Sequence, residues 1–183
     1  MAEQPSVLIV EDEVPLAELF VAWLEDSYDC HTAFNGDEAL ARIDADIDVV
    51  LLDRRMPGLS GDDVLNEIRA RGFDCPVGMV TAVEPDFDIV EMGFDGYIVK
   101  PVAVEELHGF VGDLLSLPEY DDELHRFFQL ASKRAALEAA KNKSELERSD
   151  EYQLLLDELS RVRAEVDDRR DTLETCERFS RLL

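Results

Sequence analysis

No apolar run in this 183-residue chain approaches the roughly 20 residues that a membrane-spanning helix requires, so no transmembrane segment is expected. The first residues, Met-Ala-Glu-Gln-Pro, lead into the first apolar run without a basic stretch or a small-residue cleavage site, and a secretory signal is not expected either. The expected setting is the cytoplasm. Cysteine is scarce: Cys30, Cys75 and Cys176 are far apart, form no Cys-x-x-Cys pair and have no histidine at zinc-ligand spacing. That excludes a disulfide framework and a zinc site and leaves reduced, buried thiols as the expectation. His31, His108 and His125 are equally scattered, and none is read as a ligand or a base. The length suits one domain, or one domain with an appendage, and a large multidomain enzyme is not expected.

Positive charge is also scarce. Against 43 Asp and Glu stand 18 Lys and Arg, of which only four are lysine, for a net charge of −25. Self-repulsion of that size is costly in dilute buffer, whereas at about 1 M salt the Debye length is near 3 Å and most of it is screened. The balance fits a salt-rich cytoplasm and resembles the composition of proteins from extreme halophiles. The charge is unevenly spread: residues 1–118 hold 26 acids and 6 bases, net −20, and residues 119–183 hold 17 acids and 12 bases, net −5. Two regions of different character follow.

In the first region short apolar runs alternate with helical patterns. Strands are expected at Val7–Val10, Asp29–Ala33, Val49–Leu52, Val77–Val80 and Tyr97–Val99, and helices at Pro15–Glu25, Asp37–Ile43, Gly61–Arg71, Phe87–Met92 and Val104–Leu117. This β/α alternation predicts an α/β fold with a doubly wound, five-stranded parallel sheet. Such sheets bind ligands beyond the carboxyl ends of the strands, where the strand order reverses. The residues just past each strand are therefore the candidates. Glu11 and Asp12 follow the first strand, Asp53 the third, Thr81 the fourth, and Lys100 with Pro101 the fifth. The second strand exits through Phe34, Asn35 and Gly36, a turn that starts the next helix.

Three carboxylates at one sheet edge repel each other: at about 4 Å and an effective dielectric near 20, each pair costs roughly 4 kcal/mol. A cation must offset this. Oxygen-only ligands in small number suit Mg²⁺, which keeps several waters and takes one or two carboxylates plus a phosphate. With Lys100 added, the charges of Glu11, Asp12, Asp53 and a divalent ion cancel, leaving a site balanced for an incoming phosphoryl group. A carboxylate can attack phosphorus while the metal, the lysine and a hydroxyl stabilise the transferring oxygens.

The ordered segments Val-Leu-Ile-Val-Glu-Asp-Glu, Leu-Leu-Asp-x-x-Met-Pro-Gly, Val-Thr-Ala and Tyr-Ile-Val-Lys-Pro resemble the receiver domain of response regulators, the targets of sensor histidine kinases, over roughly residues 5–117. The resemblance implies a flavodoxin-like receiver in which Asp53 is the phosphoacceptor. It implies that Asp12 and Asp53 bind Mg²⁺ directly, Glu11 through water, and Arg55 through its backbone carbonyl. Lys100 would pair with the phosphoryl group, Thr81 would donate its hydroxyl to it, and Tyr97 would turn inward into the space Thr81 vacates. Lys100-Pro101 would be a cis peptide. Two residues depart from the family's habit: Arg54 follows the acceptor where an apolar residue is usual, and Val102 stands where an aromatic commonly follows Lys-Pro. Arg55 and Val83 occupy positions that tune hydrolysis of the acyl phosphate, and neither is suited to positioning water, so a long-lived phosphoaspartate is expected. Phosphatases of the haloacid-dehalogenase type also use an Asp after a strand, but they need a second Asp two residues on, where this chain has Arg55. The chain is therefore not expected to be an enzyme beyond phosphorylating and dephosphorylating itself.

Beyond Leu117, Glu123–Lys141 is rich in helix formers and lacks Gly and Pro. A turn is expected near 142–150, where Ser144–Glu147 has the form of a capping box, and a second helix should run to about Ser180. Tyr152, Leu155, Leu159, Val162, Val166, Arg169, Leu173 and Cys176 recur at alternating spacings of three and four, a heptad seam. The seam needs cover, either from Leu124, Phe128, Ala131 and Ala135 in an antiparallel hairpin or from a second copy in a coiled coil. The pattern Leu-Glu-x-x-Lys-x-x-x-Glu-Leu resembles the HalX domain found behind receivers in halophilic archaea. The expected organisation is thus a receiver at 1–117 and a helical HalX-like domain at 118–183. The function expected is that of a two-component response regulator working through protein association, including a homodimer through the helices or the receiver face. A DNA-binding transcription regulator is the alternative, and no membrane partner is expected. The basic residues Lys133, Arg134, Lys141, Lys143 and Arg148 are diluted by Glu138, Glu145 and Glu147, which reads as a solvated face rather than a DNA surface.

The charge balance makes the protein salt-dependent: circular dichroism in graded KCl should show loss of structure on transfer to dilute buffer, and full stability at low ionic strength would refute a halophilic adaptation.

Overall fold

The computed structural model describes residues 4–119 and 122–167. The order of elements is β1 (Ser6–Val10), α1 (Val14–Leu24), β2 (Asp29–Ala33), α2 (Gly36–Arg42), β3 (Val49–Leu52), α3 (Gly61–Ala70), β4 (Val77–Thr81), a 3-10 helix (Phe87–Glu91), β5 (Gly96–Val99), α4 (Val104–Ser116), a 3-10 turn (Leu117–Glu119), α5 (Asp122–Ala140), α6 (Lys143–Arg148) and α7 (Asp150–Asp167). The contacts divide the chain into two compact units. One gathers the chain up to Val83 with Gly93–Pro118, and the other gathers Glu84–Met92 with the chain from Glu119 onward.

The first unit is a five-stranded sheet in the order β2-β1-β3-β4-β5 with every pairing parallel. Helices cover both faces of such a sheet, so its central strands read as unbroken apolar runs rather than alternating ones. Val7–Val10 and Val49–Leu52 are accordingly all buried. The strand order reverses at β1, whose neighbours are β2 and β3. Register then sets the site: Val10 lies opposite Leu52, and the Asp53 amide donates to the Val10 carbonyl at 3.0 Å, so residues 11–12 and 53 emerge side by side.

Local chemistry fixes the helices. Pro15 opens α1, Asn35 caps α2 by accepting from the Glu38 amide, and Ser60 and Asp63 cap α3 reciprocally. The side chain of Arg69, on α3, reaches the Asp95 carboxylate at 2.8 Å and the carbonyls of Phe73, Cys75 and Gly93. Asp95 is buried and also accepts from the Val77 amide at 2.7 Å, so one ion pair ties the entry of β4 to the entry of β5. Gly78 and Gly96 leave room for Phe110 on α4: a Cβ at either position would stand 2.5 Å from its ring.

The second unit is an antiparallel pair, α5 against α7, with α6 between them. Tyr152, Leu155, Leu159, Val162 and Val166 are all buried on the α7 side, and Leu124, Phe128, Leu130, Ala131 and Leu137 on the α5 side. The first part of the heptad seam is thus covered within the chain; Arg169, Leu173 and Cys176, and the expected end of the helix near Ser180, lie outside the described residues. Ala135 is only half-buried. At one end Tyr152 donates to Glu138 at 2.6 Å, and further along Arg126 pairs with Glu158.

Several local expectations need correction. The capping box belongs to Asn142 and Glu145 instead of Ser144 and Glu147, and the segment taken for a turn forms α6. The 142–148 stretch satisfies the same local pattern in two registers, and the earlier one wins. The Phe87–Met92 helix is a 3-10 helix. Cys30 and Cys75 are half-buried rather than buried, and burial pushes the Cys30 thiol up to about 11. Lys133, expected on a solvated face, is 7% exposed. Among the described residues no helix is long and apolar enough to cross a membrane.

Candidate functional site

At the carboxyl edge of the sheet, one atom from each of Glu11, Asp12 and Asp53 lies within 4.8 Å of the others. Glu11 and Asp53 are buried and Asp12 half-buried. Lys100, past the end of β5, places its Nζ 2.6 Å from Asp53 Oδ2 and 2.5 Å from Glu11 Oε2. The Thr81 hydroxyl donates to the other Asp53 oxygen, Oδ1, at 2.7 Å, and the Arg55 amide donates to the same atom at 3.0 Å. The Lys100-Pro101 peptide is cis.

One ammonium therefore faces three carboxylates. Burial pushes the Glu11 carboxyl up despite the pull of Lys100, while Lys100 is held above its usual value because Asp53 and Glu11 outweigh the cost of its own burial. Both groups are shielded from water: Glu11 has 2% of its side chain in contact with solvent and Lys100 12%. Negative charge left over in a half-buried, all-oxygen pocket fits a hard divalent cation.

Thr81 is fully buried, and its hydroxyl also accepts from the Val83 amide at 3.3 Å. Tyr97 points inward, 8% exposed, and its hydroxyl donates to the Val83 carbonyl at 2.7 Å. Arg54 turns to α3, where it makes two hydrogen bonds to Asp62 at 2.9 and 2.8 Å. The charge that broke the apolar habit after Asp53 is thus spent on positioning α3. Arg55 has an exposed side chain and Val83 a half-buried one, and Val102 is half-buried.

Gly61 belongs to the site although no sequence motif points to it. A Cβ there would sit 2.1 Å from the Asp53 carbonyl oxygen and 2.8 Å from Arg54 Cα, so only glycine lets α3 start against the backbone of the acceptor. Its amide donates to the Arg54 carbonyl at 2.8 Å. Nothing but the glycine itself, two residues past Leu59, marked this in the sequence.

With this geometry in hand, comparison with known proteins is specific. A family model for the response regulator receiver domain matches residues 7–111, and a model for the HalX domain matches residues 116–183. A Haloferax volcanii protein provisionally named a transcriptional regulator is 47% identical over 165 residues, 90% of this chain but 28% of its own length. The sensory transduction protein RegX3 of Mycobacterium tuberculosis is 44% identical over 107 residues, covering 56% of this chain and 47% of its own. The chain thus spans less than half the length of these relatives. Among solved structures, a CheY-like receiver domain from Methanospirillum hungatei aligns at TM-score 0.60 and 25% identity, covering 64% of this chain and 98% of its own. The response regulator TrrA of Thermotoga maritima, in complex with Mg²⁺ and beryllofluoride, aligns at TM-score 0.54 and 34% identity over 61% of this chain and all of its own.

Substituting Gly61→Ala should test the close approach. It forces backbone to move, which costs about 3 kcal/mol at the upper end of the overpacking range, and should weaken Mg²⁺ binding by displacing Asp53. Urea unfolding in molar KCl and a Mg²⁺ titration check both, and an unchanged midpoint with unchanged Mg²⁺ affinity would contradict the assignment.

Proposed function

The chain belongs to the response regulator receiver family of two-component signalling, with a HalX domain behind the receiver, and on that premise we propose that it takes a phosphoryl group on Asp53 from a sensor histidine kinase and signals through its C-terminal helices. The observation that supports this best is the convergence on one carboxylate of the Thr81 hydroxyl, the Lys100 ammonium and the Arg55 amide, beside two further acids.

In the transfer, an Asp53 carboxylate oxygen forms a bond to phosphorus as the bond from phosphorus to the kinase histidine nitrogen breaks, and that nitrogen keeps the electron pair. Asp12 and Asp53, with Glu11 through water and the Arg55 carbonyl, would hold Mg²⁺. Bound there, the ion supplies positive charge to the phosphoryl oxygens. The Lys100 ammonium, now on Asp53 and Glu11, would pair with a phosphoryl oxygen, and the Thr81 hydroxyl would turn from the carboxylate to the phosphoryl group. Tyr97, already inward, holds the Val83 carbonyl. Reversal by water regenerates the carboxylate and releases inorganic phosphate. The Arg55 side chain and Val83 offer that water no general base, so the acyl phosphate persists. The protein is a signalling component with one turnover per signal, and its setting is the cytoplasm.

The receiver is taken as 1–117 and the output domain as 118–183, with Glu84–Met92 of the receiver packing in the helical unit. Association with protein is the output favoured over DNA binding, because three of the five basic residues from Lys133 to Arg148 are held within the chain: Lys133 by the Val90 carbonyl, Lys141 by Asp86 and Arg134 by Glu138. Retarded migration of DNA by the phosphorylated full-length protein would overturn that preference.

Incubation with a small-molecule acyl phosphate and Mg²⁺ should add one phosphoryl group, seen by intact mass, and the Asp53→Asn variant should add none. The label should decay over many minutes or longer; a lifetime of seconds would show that some other group positions the water.

A further inference from the structure

The connection between β4 and β5 leaves the first unit at Val83 and rejoins it at Gly93, and everything between belongs to the helical unit. Its nine residues, Glu84–Met92, carry only a 3-10 helix, Phe87–Glu91. The segment packs on α5 and α7, with Ile89 fully buried and Pro85 buried.

Lys133 on α5 and Lys141, the first residue past its end, hold it at both ends. Lys133 donates to the Val90 carbonyl at 2.7 Å, and Lys141 pairs with Asp86 at 3.0 Å and sits 5.6 Å from the centre of the Phe87 ring. The Lys141 ammonium holds the Asp86 carboxyl below its usual range. In a chain with only four lysines, one serves the site and two serve this segment. Burying the Lys133 ammonium stem and head is costly unless the head is hydrogen-bonded. Its carbonyl partner on the crossover therefore ties the fold of α5 to the conformation of that segment.

The other end of the segment begins at the site. The Thr81 hydroxyl links Asp53 Oδ1 to the Val83 amide, and Tyr97 holds the Val83 carbonyl. A hydroxyl that turns to a phosphoryl oxygen must give up or stretch one of these bonds, and the residue it moves is the last before Glu84. We infer that the crossover segment 84–92, clasped by Lys133 and Lys141, is the input arm of the helical domain, through which the state of Asp53 sets the packing of α5 and α7. This rests on the phosphoacceptor reading above. The output domain then does not wait for a docking surface to be exposed, because a piece of the receiver's own chain is already part of it.

Amide hydrogen exchange of the full-length protein in molar KCl, with and without Mg²⁺ and beryllofluoride, tests this. Protection should change by about five-fold or more, the lower end of typical site-to-site coupling, both in 84–92 and in the C-terminal half of α5, from Lys133 to its end before Lys141. In the Lys133→Met, Lys141→Met double variant the response at 81–83 should persist and that of α5 should vanish. Asp86→Asn, on an exposed side chain, removes the outer contact alone and should leave an intermediate response. A response at 81–83 with none in α5 of the wild type, or an α5 response undiminished in all variants, overturns the inference while leaving Asp53 as phosphoacceptor. No response anywhere, including around Asp53, overturns both.

Discussion

One ammonium, that of Lys100, stands between two buried carboxylates, and the rest of the receiver unit can be understood as the scaffold that forces this arrangement. Glu11 and Asp53 sit at the ends of adjacent strands because Val10 and Leu52 are in register, and that register follows from apolar strands buried on both faces. Lys100 reaches them because β5 lies beyond β4 in the same sheet, with the Lys100 amide donating to the Thr81 carbonyl at 2.9 Å. In a partly buried pocket the lysine cannot neutralise three acids, so the site carries an excess of negative charge that a divalent cation and a phosphoryl group together can accommodate. The same excess, at smaller amplitude, covers the whole molecule: a net charge of −25 is tolerable where salt is concentrated.

The parts of this arrangement differ in how far the sequence discloses them. Strands buried on both faces appear as short apolar runs, and a ligand edge in a doubly wound sheet lies just past them, so Glu11, Asp12, Asp53, Thr81 and Lys100 could be found by looking where those runs stop. The buried stripe from Tyr152 to Val166 was equally plain, since a helix of this length exposes a seam unless something covers it. Gly61 was not legible: its importance is a clearance of a few ångströms from the Asp53 backbone, a distance between residues eight apart. Arg54 is an anomaly in the sequence pattern, and it is explained by Asp62 on the next helix, which accepts two hydrogen bonds from it.

Lys133 shows the limit most clearly. Among alternating charges on a helix it reads as solvated, and only its bond to the carbonyl of Val90, 43 residues earlier, shows that it is a buried anchor. Glu84–Met92, to which Val90 belongs, packs with the helices of the second unit. A contiguous division of the chain near residue 117 cannot express that exchange, because contacts made by a crossover segment carry no periodicity of their own.

The central claim is that Asp53, with Lys100, Thr81 and a divalent cation, forms a phosphoryl site. Fluorine NMR of the full-length protein in molar KCl with beryllofluoride addresses it most directly. The account predicts a bound fluorine signal that requires Mg²⁺ and is absent from Asp53→Asn; a bound signal that survives in Asp53→Asn, or none in the wild type with Mg²⁺ present, would contradict it.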